Sequence, residues 1–253
     1  MELIKSELEQ ACKKLKISSD LAETAMTIEA GTHQEFLLNL LGSMAASRNE
    51  NRKTRYINRA HFPYKIDICD YNEKETEFMD DTTMESLRAL EFLTGRQNLV
   101  IIGNAGTGKT KLSVGLGLTA CKAGYKTAFF CVPELLKILG NREDYAKYGK
   151  AMRRMEEAHF IILDEFGYTS MTKQQSEDLF NFIAAASREK SVLINTIREL
   201  TEWEKLMPDP VLAAAFVSRC IDNCVLIHLT GKDMRALELL NKKKKKTRKS
   251  TDE

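Results

Sequence analysis

The most constraining feature of this 253-residue chain is the segment Gly103–Thr110, which reads G-N-A-G-T-G-K-T and satisfies the pattern G-x-x-x-x-G-K-[ST]. It directly follows an apolar run at 99–102 and precedes an apolar, helix-length segment that ends near Gly124. Glycines at these positions let successive backbone N–H groups face a polyphosphate, and the helix that follows directs its positive dipole end at the same anion. The pattern favours a nucleotide site over a structural glycine turn.

The individual positions of this loop have predicted roles. Lys109 is expected to contact the outer phosphates as a catalytic residue, and the Thr110 hydroxyl is expected to hold Mg²⁺. The residues predicted to bind the nucleotide are Gly103, Asn104, Ala105, Gly106, Thr107, Gly108, Lys109, Thr110 and Lys111.

The chain alternates between apolar runs and helix-length segments after Gly95. The runs lie at 99–102, 127–132, 159–163, 191–196 and 224–229. Such alternation predicts an α/β fold, with a five-stranded parallel sheet flanked by helices. We expect this core at 83–240. A small all-helical domain at 1–66, an acidic linker at 67–82 and a disordered basic tail at 241–253 are predicted around it.

The N-terminal region carries two helix signals and a stripe of basic residues. Residues 4, 8, 11 and 15 form an apolar helical stripe, and Thr32 begins a capping-box sequence ahead of a second helix. Further along that helix, basic residues repeat at intervals of three and four, which places them on one face. A solvated helix face or contact with DNA phosphates both fit this pattern. The predicted DNA-binding residues are Arg48, Arg52, Lys53, Arg55 and Arg59.

Composition excludes several classes of protein. No apolar run approaches the roughly eighteen residues of a membrane span, so we expect a cytoplasmic protein without membrane contact. Six cysteines without a C-x-x-C pair favour reduced, packed thiols over a metal site or disulfides. The net charge is +2, but the last twelve residues hold seven positive and two negative charges, which leaves −3 for residues 1–241. The lysine-rich tail is interpreted equally well as a DNA contact or as a solubilising end.

Two adjacent carboxylates, Asp164 and Glu165, end the apolar run that begins near residue 159. Asp164 is expected beside the Mg²⁺, and Glu165 is expected to orient or deprotonate the attacking water. Their position about 55 residues after the phosphate loop favours an NTP hydrolase over a small-molecule kinase.

These motifs together resemble the IstB transposition helper ATPases, an AAA+ family related to the DnaC-type helicase loaders. The resemblance covers about residues 30–237, and the run D-P-V-L-A-A-A separates IstB-like chains from other phosphate-loop proteins. It is carried by Gly103–Thr110, Asp164–Tyr168, Glu202-Trp203, Asp209–Ala215 with Arg219, Phe36–Leu38 and Arg59–Pro63.

The resemblance implies an AAA+ ATPase that oligomerises on double-stranded DNA and presents it to a partner transposase of the IstA type. Such proteins bind ATP between protomers of a homo-oligomer. Arg219 then matches the arginine finger that a neighbouring subunit supplies, and Arg235 matches the second sensor arginine.

The chain departs from the family pattern at the end of its fourth predicted parallel strand. The family tends to end this strand in Thr-Ser-Asn, whereas this chain has Asn195-Thr196-Ile197. Since Ile197 cannot hydrogen-bond, either Asn195 or Thr196 serves as a shifted sensor, or hydrolysis is weak and ATP acts mainly in assembly.

Two alternative functions therefore stay open at this point. One is a helicase loader of the DnaC type, which shares every catalytic residue. The other is a nucleotide-gated DNA-binding scaffold with little hydrolysis, which Ile197 suggests.

Overall fold

The computed structural model describes residues 2–18, 20–186, 189–231 and 233. The chain divides after Arg55 into two compact units. Arg235 and the basic tail at 241–253 lie outside the described residues.

The first unit is helical, as the sequence predicts. It contains α1 (Glu2–Lys14), α2 (Asp20–Thr27) and most of α3 (His33–Ala60). The start of α3 follows from its capping residues, since Glu35 N donates to Thr32 Oγ1 at 3.2 Å and the Glu35 carboxylate accepts from Gly31 N at 3.0 Å. These bonds satisfy backbone donors that a helix start leaves without intrahelical partners.

The second unit is built on a six-stranded sheet. Its strands are β1 (Thr76–Phe78), β2 (Asn98–Gly103), β3 (Thr127–Cys131), β4 (Phe160–Phe166), β5 (Ser191–Thr196) and β6 (Cys224–Leu229). They lie in the order β1-β6-β2-β5-β4-β3. The five strands predicted from the apolar runs are β2 to β6, and they are parallel to one another.

The sixth strand, β1, corrects the expected count of five. It lies within the predicted acidic linker and pairs antiparallel with β6, where Glu77 is opposite His228. Two short 3₁₀ helices, Ile68–Asp70 and Glu73–Glu75, precede it. A strand of three residues with a charged residue at its centre gives no apolar run, so periodicity cannot reveal it.

Helices cover both faces of this sheet. Helices α4 (Met84–Arg88), α5 (Glu91–Thr94) and α6 (Lys109–Lys122) lie on one face, and their buried residues pack with Leu99, Ile101 and Leu193. Helices α7 (Val132–Gly140), α8 (Tyr145–Glu157), α9 (Lys173–Ala186) and α10 (Pro210–Ile221) contribute to the core on the other face. Alternate residues of the central strands thus enter two separate cores, as expected for parallel strands buried on both faces.

Parallel strands bring their carboxyl ends to one edge of the sheet, where ligands bind in open α/β folds. The phosphate loop follows β2, Asp164 and Glu165 lie at the end of β4, and Asn195 and Thr196 end β5. Within the described residues, no helix is both long and apolar enough to cross a membrane.

Candidate nucleotide site

The phosphate loop has the backbone conformation that its glycines allow. Gly106 and Gly108 have φ angles of 77° and 98°, a region that side chains disfavour. The Lys109 ammonium donates to the carbonyl oxygens of Gly103 and Asn104 at 2.7 and 2.8 Å. Thr107 Oγ1 donates to the same Asn104 carbonyl at 2.9 Å. The lysine and the loop backbone are therefore held together around the start of α6.

A polar network joins the loop to the ends of β4 and β5. Thr110 Oγ1 donates to Asp164 Oδ2 at 2.8 Å, and Asn195 Nδ2 donates to Asp164 Oδ1 at 2.8 Å. Ser113 Oγ lies 2.9 Å from Asn195 Oδ1. Both oxygens of the Asp164 carboxylate thus have partners. The two residues that the sequence assigns to Mg²⁺, Thr110 and Asp164, are in direct contact.

Glu165 lies on an irregularity of β4. The register between β4 and β5 shifts between Leu163 and Phe166, and Glu165 has a φ of 61°. A bulge re-aims side chains, and a non-glycine residue in the left-handed region is held there by its surroundings. As a result Asp164 is buried while Glu165, the next residue, is exposed.

Cys131 contacts this glutamate and was not anticipated from the sequence. Its Sγ donates to Glu165 Oε2 at 3.3 Å, and it is opposite Asp164 in the register of β3 and β4. Burial, followed by the Glu165 carboxylate, raises the pKa of the Cys131 thiol to about 11, so the thiol is protonated and able to donate near neutral pH. In the sequence, Cys131 lies near the end of an apolar run. That position places it at the same sheet edge as Asp164 and Glu165.

Comparison with known proteins identifies the family of this chain. The family model described as IstB-like ATP binding protein matches residues 7–245. The chain belongs to the IstB-like ATP-binding family. It is 26% identical over 241 residues to an insertion sequence IS5376 ATP-binding protein from Geobacillus stearothermophilus, covering 93% of this chain and 96% of that one. It is 29% identical over 204 residues to an IS21-like insertion sequence ATP-binding protein from Bacteroides fragilis, covering 81% and 78%.

Solved structures agree on the fold. The crystal structure of DnaI superposes with a TM-score of 0.54 at 16% identity, over 66% of this chain and 89% of that one. The AMPPCP-bound DnaA from Aquifex aeolicus superposes with a TM-score of 0.54 at 18% identity, over 74% and 56%. These likenesses show the AAA+ fold alone. Together with the family match, they confirm that this IstB-like protein is a P-loop ATPase.

The two sensor candidates of this IstB-like protein occupy different environments. Asn195 and Thr196 are both fully buried. Asn195 contacts Asp164, whereas Thr196 Oγ1 accepts a hydrogen bond from Arg198 N at 2.9 Å within its own loop. The adjacent Ile197 is half-buried. Asn195 is therefore placed to orient Asp164, and Thr196 shapes the turn after β5.

Arg219 lies in the last turn of α10. The run Asp209-Pro210-Val211 starts this helix, because Asp209 Oδ1 accepts from Val211 N and Pro210 occupies the first turn. Near its end the helix is held by Asn98, whose Nδ2 lies 3.3 Å from the Arg219 carbonyl. The Arg219 guanidinium lies 4.5 Å from the ring centre of Phe180 and has no carboxylate partner within the described part of the chain.

The predicted DNA-binding residues all lie on α3. Arg48, Arg52, Arg55 and Arg59 are exposed, while Lys53 is half-buried and pairs with Glu50 at 2.7 Å. The Arg52 guanidinium donates to Asn49 Oδ1 at 2.8 Å. Arg48 and Arg55 have no ion-pair partner among the described residues, so their charges remain available to an external anion.

The segment before the core contacts the phosphate loop. Lys111, a predicted nucleotide-binding residue, donates to the Asp70 carbonyl at 3.3 Å. A Cβ atom placed on Gly108 would lie 3.4 Å from the Tyr71 ring, so this ring packs closely on the loop. Burial raises the pKa of the Tyr71 phenol, whose oxygen lies 3.3 Å from Thr76 Oγ1. No sequence pattern points to this contact, because Tyr71 lies in a stretch dominated by acidic residues.

Proposed function

We propose that this protein is an ATP-dependent, DNA-binding transposition helper. In this proposal, ATP and Mg²⁺ drive a homo-oligomer onto double-stranded DNA, and the oligomer recruits or activates a partner transposase of the IstA type. The observation that carries it is that Lys109, Thr110, Asp164 and Glu165 lie at the same sheet edge of an IstB-like chain, with Thr110 and Asp164 in direct contact. Relatives named as insertion sequence ATP-binding proteins support the link to transposition.

The site has the donors that Mg²⁺ prefers. A hydroxyl and a carboxylate oxygen 2.8 Å apart, from Thr110 and Asp164, are the hard oxygen ligands typical of this cation. They would hold the ion beside the phosphate loop, where a bound Mg²⁺ neutralises phosphate charge. Lys109 would then exchange its carbonyl partners for phosphate oxygens, and Glu165 would orient the attacking water.

Two arginines complete the proposed site in the oligomer. Arg219 would act from the neighbouring subunit as an arginine finger. Arg235 would act as the second sensor, on the basis of the family resemblance alone. With intersubunit sites of this kind, the rate of ATP hydrolysis would increase when subunits assemble on DNA.

Replacement of Asn195 by alanine is expected to raise the Mg²⁺ concentration for half-maximal ATP hydrolysis about tenfold, because residues that orient a metal ligand affect affinity on this scale. The matched control is Thr196→Val, which removes a buried oxygen that accepts its hydrogen bond from Arg198 N rather than contacting Asp164. Magnesium titrations of phosphate release measure both variants. Identical curves for wild type and Asn195→Ala would show that Asp164 does not depend on this amide.

The four arginines of α3 are expected to contribute about four phosphate contacts. Their replacement by glutamine should reduce the slope of log affinity against log salt by roughly 3 to 4, since each contact contributes about 0.9. Fluorescence anisotropy with a labelled duplex, in ATP, measures the slope. A control variant removes four exposed positive charges from the first unit, which also holds three of the four arginines; these are Lys5, Lys13, Lys14 and Lys16. An equal decrease of the salt slope in the two variants would show that net charge, and not the position of the arginines, causes the effect.

The overall proposal is tested by light scattering of the protein with ATP and duplex DNA. The proposal is supported if wild type forms large oligomers in the presence of nucleotide and Lys109→Ala does not. Pull-down with an IstA-type transposase and with a hexameric helicase then separates the helper from a DnaC-type loader. Assembly without phosphate release would favour the nucleotide-gated scaffold.

A further inference from the structure

A basic cavity of about 600 Å³ lies in the second unit, away from the phosphate loop. Its walls come from the end of α3, the start of β3 and one side of α8. The nucleotide site lies at the carboxyl ends of the parallel strands. The start of β3, and with it the cavity, lies at their amino ends. The basic residues that line the cavity are Arg59, His61, Lys126, Lys150, Arg153 and Arg154.

Negative charge in the cavity is too small to balance these side chains. Among the described residues that line the cavity, Glu157 is the only carboxylate, and it is shared by Arg59 at 3.9 Å and Lys126 at 3.8 Å. Lys150 and Arg153 are exposed and have no ion-pair partner in the part of the chain that the structure describes. Two cations therefore point to solvent without compensation.

Arg154 adds a third cation, which forms no ion pair with a carboxylate of the described residues. It is half-buried and donates to two backbone carbonyls, those of Ala60 at 3.0 Å and Phe129 at 2.8 Å. Burial lowers its pKa to about 10, which leaves it charged at neutral pH. Burial, then Arg154 and Lys150, lower the pKa of His61, as expected where the local potential is positive. Fixed positive charge in a concave site attracts anions.

We propose that this cavity holds the phosphodiester backbone of duplex DNA. The assignment rests on the proposed DNA binding and deepens it by naming a second contact surface, formed by the ATPase unit itself. Arg59, the last member of the arginine series in the sequence of α3, also lines the cavity. Tyr56 and Tyr145, which also line the cavity, supply phenol groups of the kind that bind backbone phosphates.

The test uses the full-length protein and the double variant Lys150→Ala/Arg153→Ala, since both residues are exposed and leave the core intact. The salt slope for duplex binding in ATP should fall by about 2, at roughly 0.9 per phosphate contact. A matched control, Lys137→Ala/Lys205→Ala, removes two exposed positive charges from the same unit outside the cavity and should keep the wild-type slope. Unaltered ATP binding and thermal unfolding verify that both variants are folded.

Four results would overturn the assignment. A wild-type slope in Lys150→Ala/Arg153→Ala excludes the cavity while leaving the proposed function intact. An equal fall in the control pair assigns the effect to net charge. ATP binding that persists in Lys109→Ala and disappears when the cavity pair is also removed identifies a second nucleotide site instead. If wild type binds no duplex with ATP, both this assignment and the proposed function fail.

Discussion

Replacement of Arg219 by alanine should lower kcat for ATP hydrolysis about 10³-fold or more, with little change in ATP affinity. An arginine finger supplied by a neighbouring subunit typically raises kcat by about 10³ to 10⁵-fold, because its charge stabilises the transition state rather than the bound nucleotide. The Arg219 guanidinium lies over the Phe180 ring and has no carboxylate partner among the described residues, so its charge is available to an external phosphate. Phosphate release under saturating ATP and DNA measures kcat.

Subunit mixing provides the decisive control for this role. Lys109→Ala removes the phosphate contact but keeps Arg219, whereas Arg219→Ala keeps the phosphate loop. Each variant should be inactive alone, and the mixture should recover a substantial fraction of wild-type hydrolysis, because some interfaces then combine one intact loop with one intact arginine. A mixture as inactive as its components would place Arg219 outside the neighbour's site.

Replacement of Glu165 by glutamine should lower hydrolysis about 10² to 10⁴-fold, the usual contribution of a positioned general base. ATP binding should persist, because Lys109, Thr110 and Asp164 are unchanged. Complexes with duplex DNA should then last longer than those of wild type. Phosphate release and dissociation of a labelled duplex after dilution measure the two effects.

The control for this variant is Glu134→Gln. Glu134 is exposed on α7, three residues after Cys131, and its replacement removes the same charge near the site. It should leave hydrolysis and residence time near wild-type values. A Glu165→Gln protein that releases phosphate at the wild-type rate would contradict the proposed role, and one that is inactive yet leaves DNA at the wild-type rate would separate hydrolysis from DNA release.

Most of the sheet and the centre of the site were predictable from local sequence. Each parallel strand is an apolar run, and the phosphate loop has fixed residue types at fixed spacing, so both are readable without tertiary information. Asp164 and Glu165 were predictable because they end one of those runs. Their different burial was not, since it depends on the bulge in β4.

Other features depend on contacts between residues far apart in the chain. Cys131 reaches Glu165 only because β3 and β4 are neighbours, and Ser113 reaches Asn195 across 82 positions. The role of Asn195 was left open beside that of Thr196, because both are polar and adjacent in sequence. Their hydrogen-bond partners separate them in the structure.

The short strand β1 has a consequence for how subunits join. By pairing with β6, it fills the side of that strand to which a segment from another molecule would add, and its three residues offer little backbone for continuing the ladder. At this edge of the sheet, subunits of the proposed oligomer would therefore join through side chains. Side-chain contacts at that edge would separate more readily after each nucleotide cycle than a shared intermolecular β-sheet.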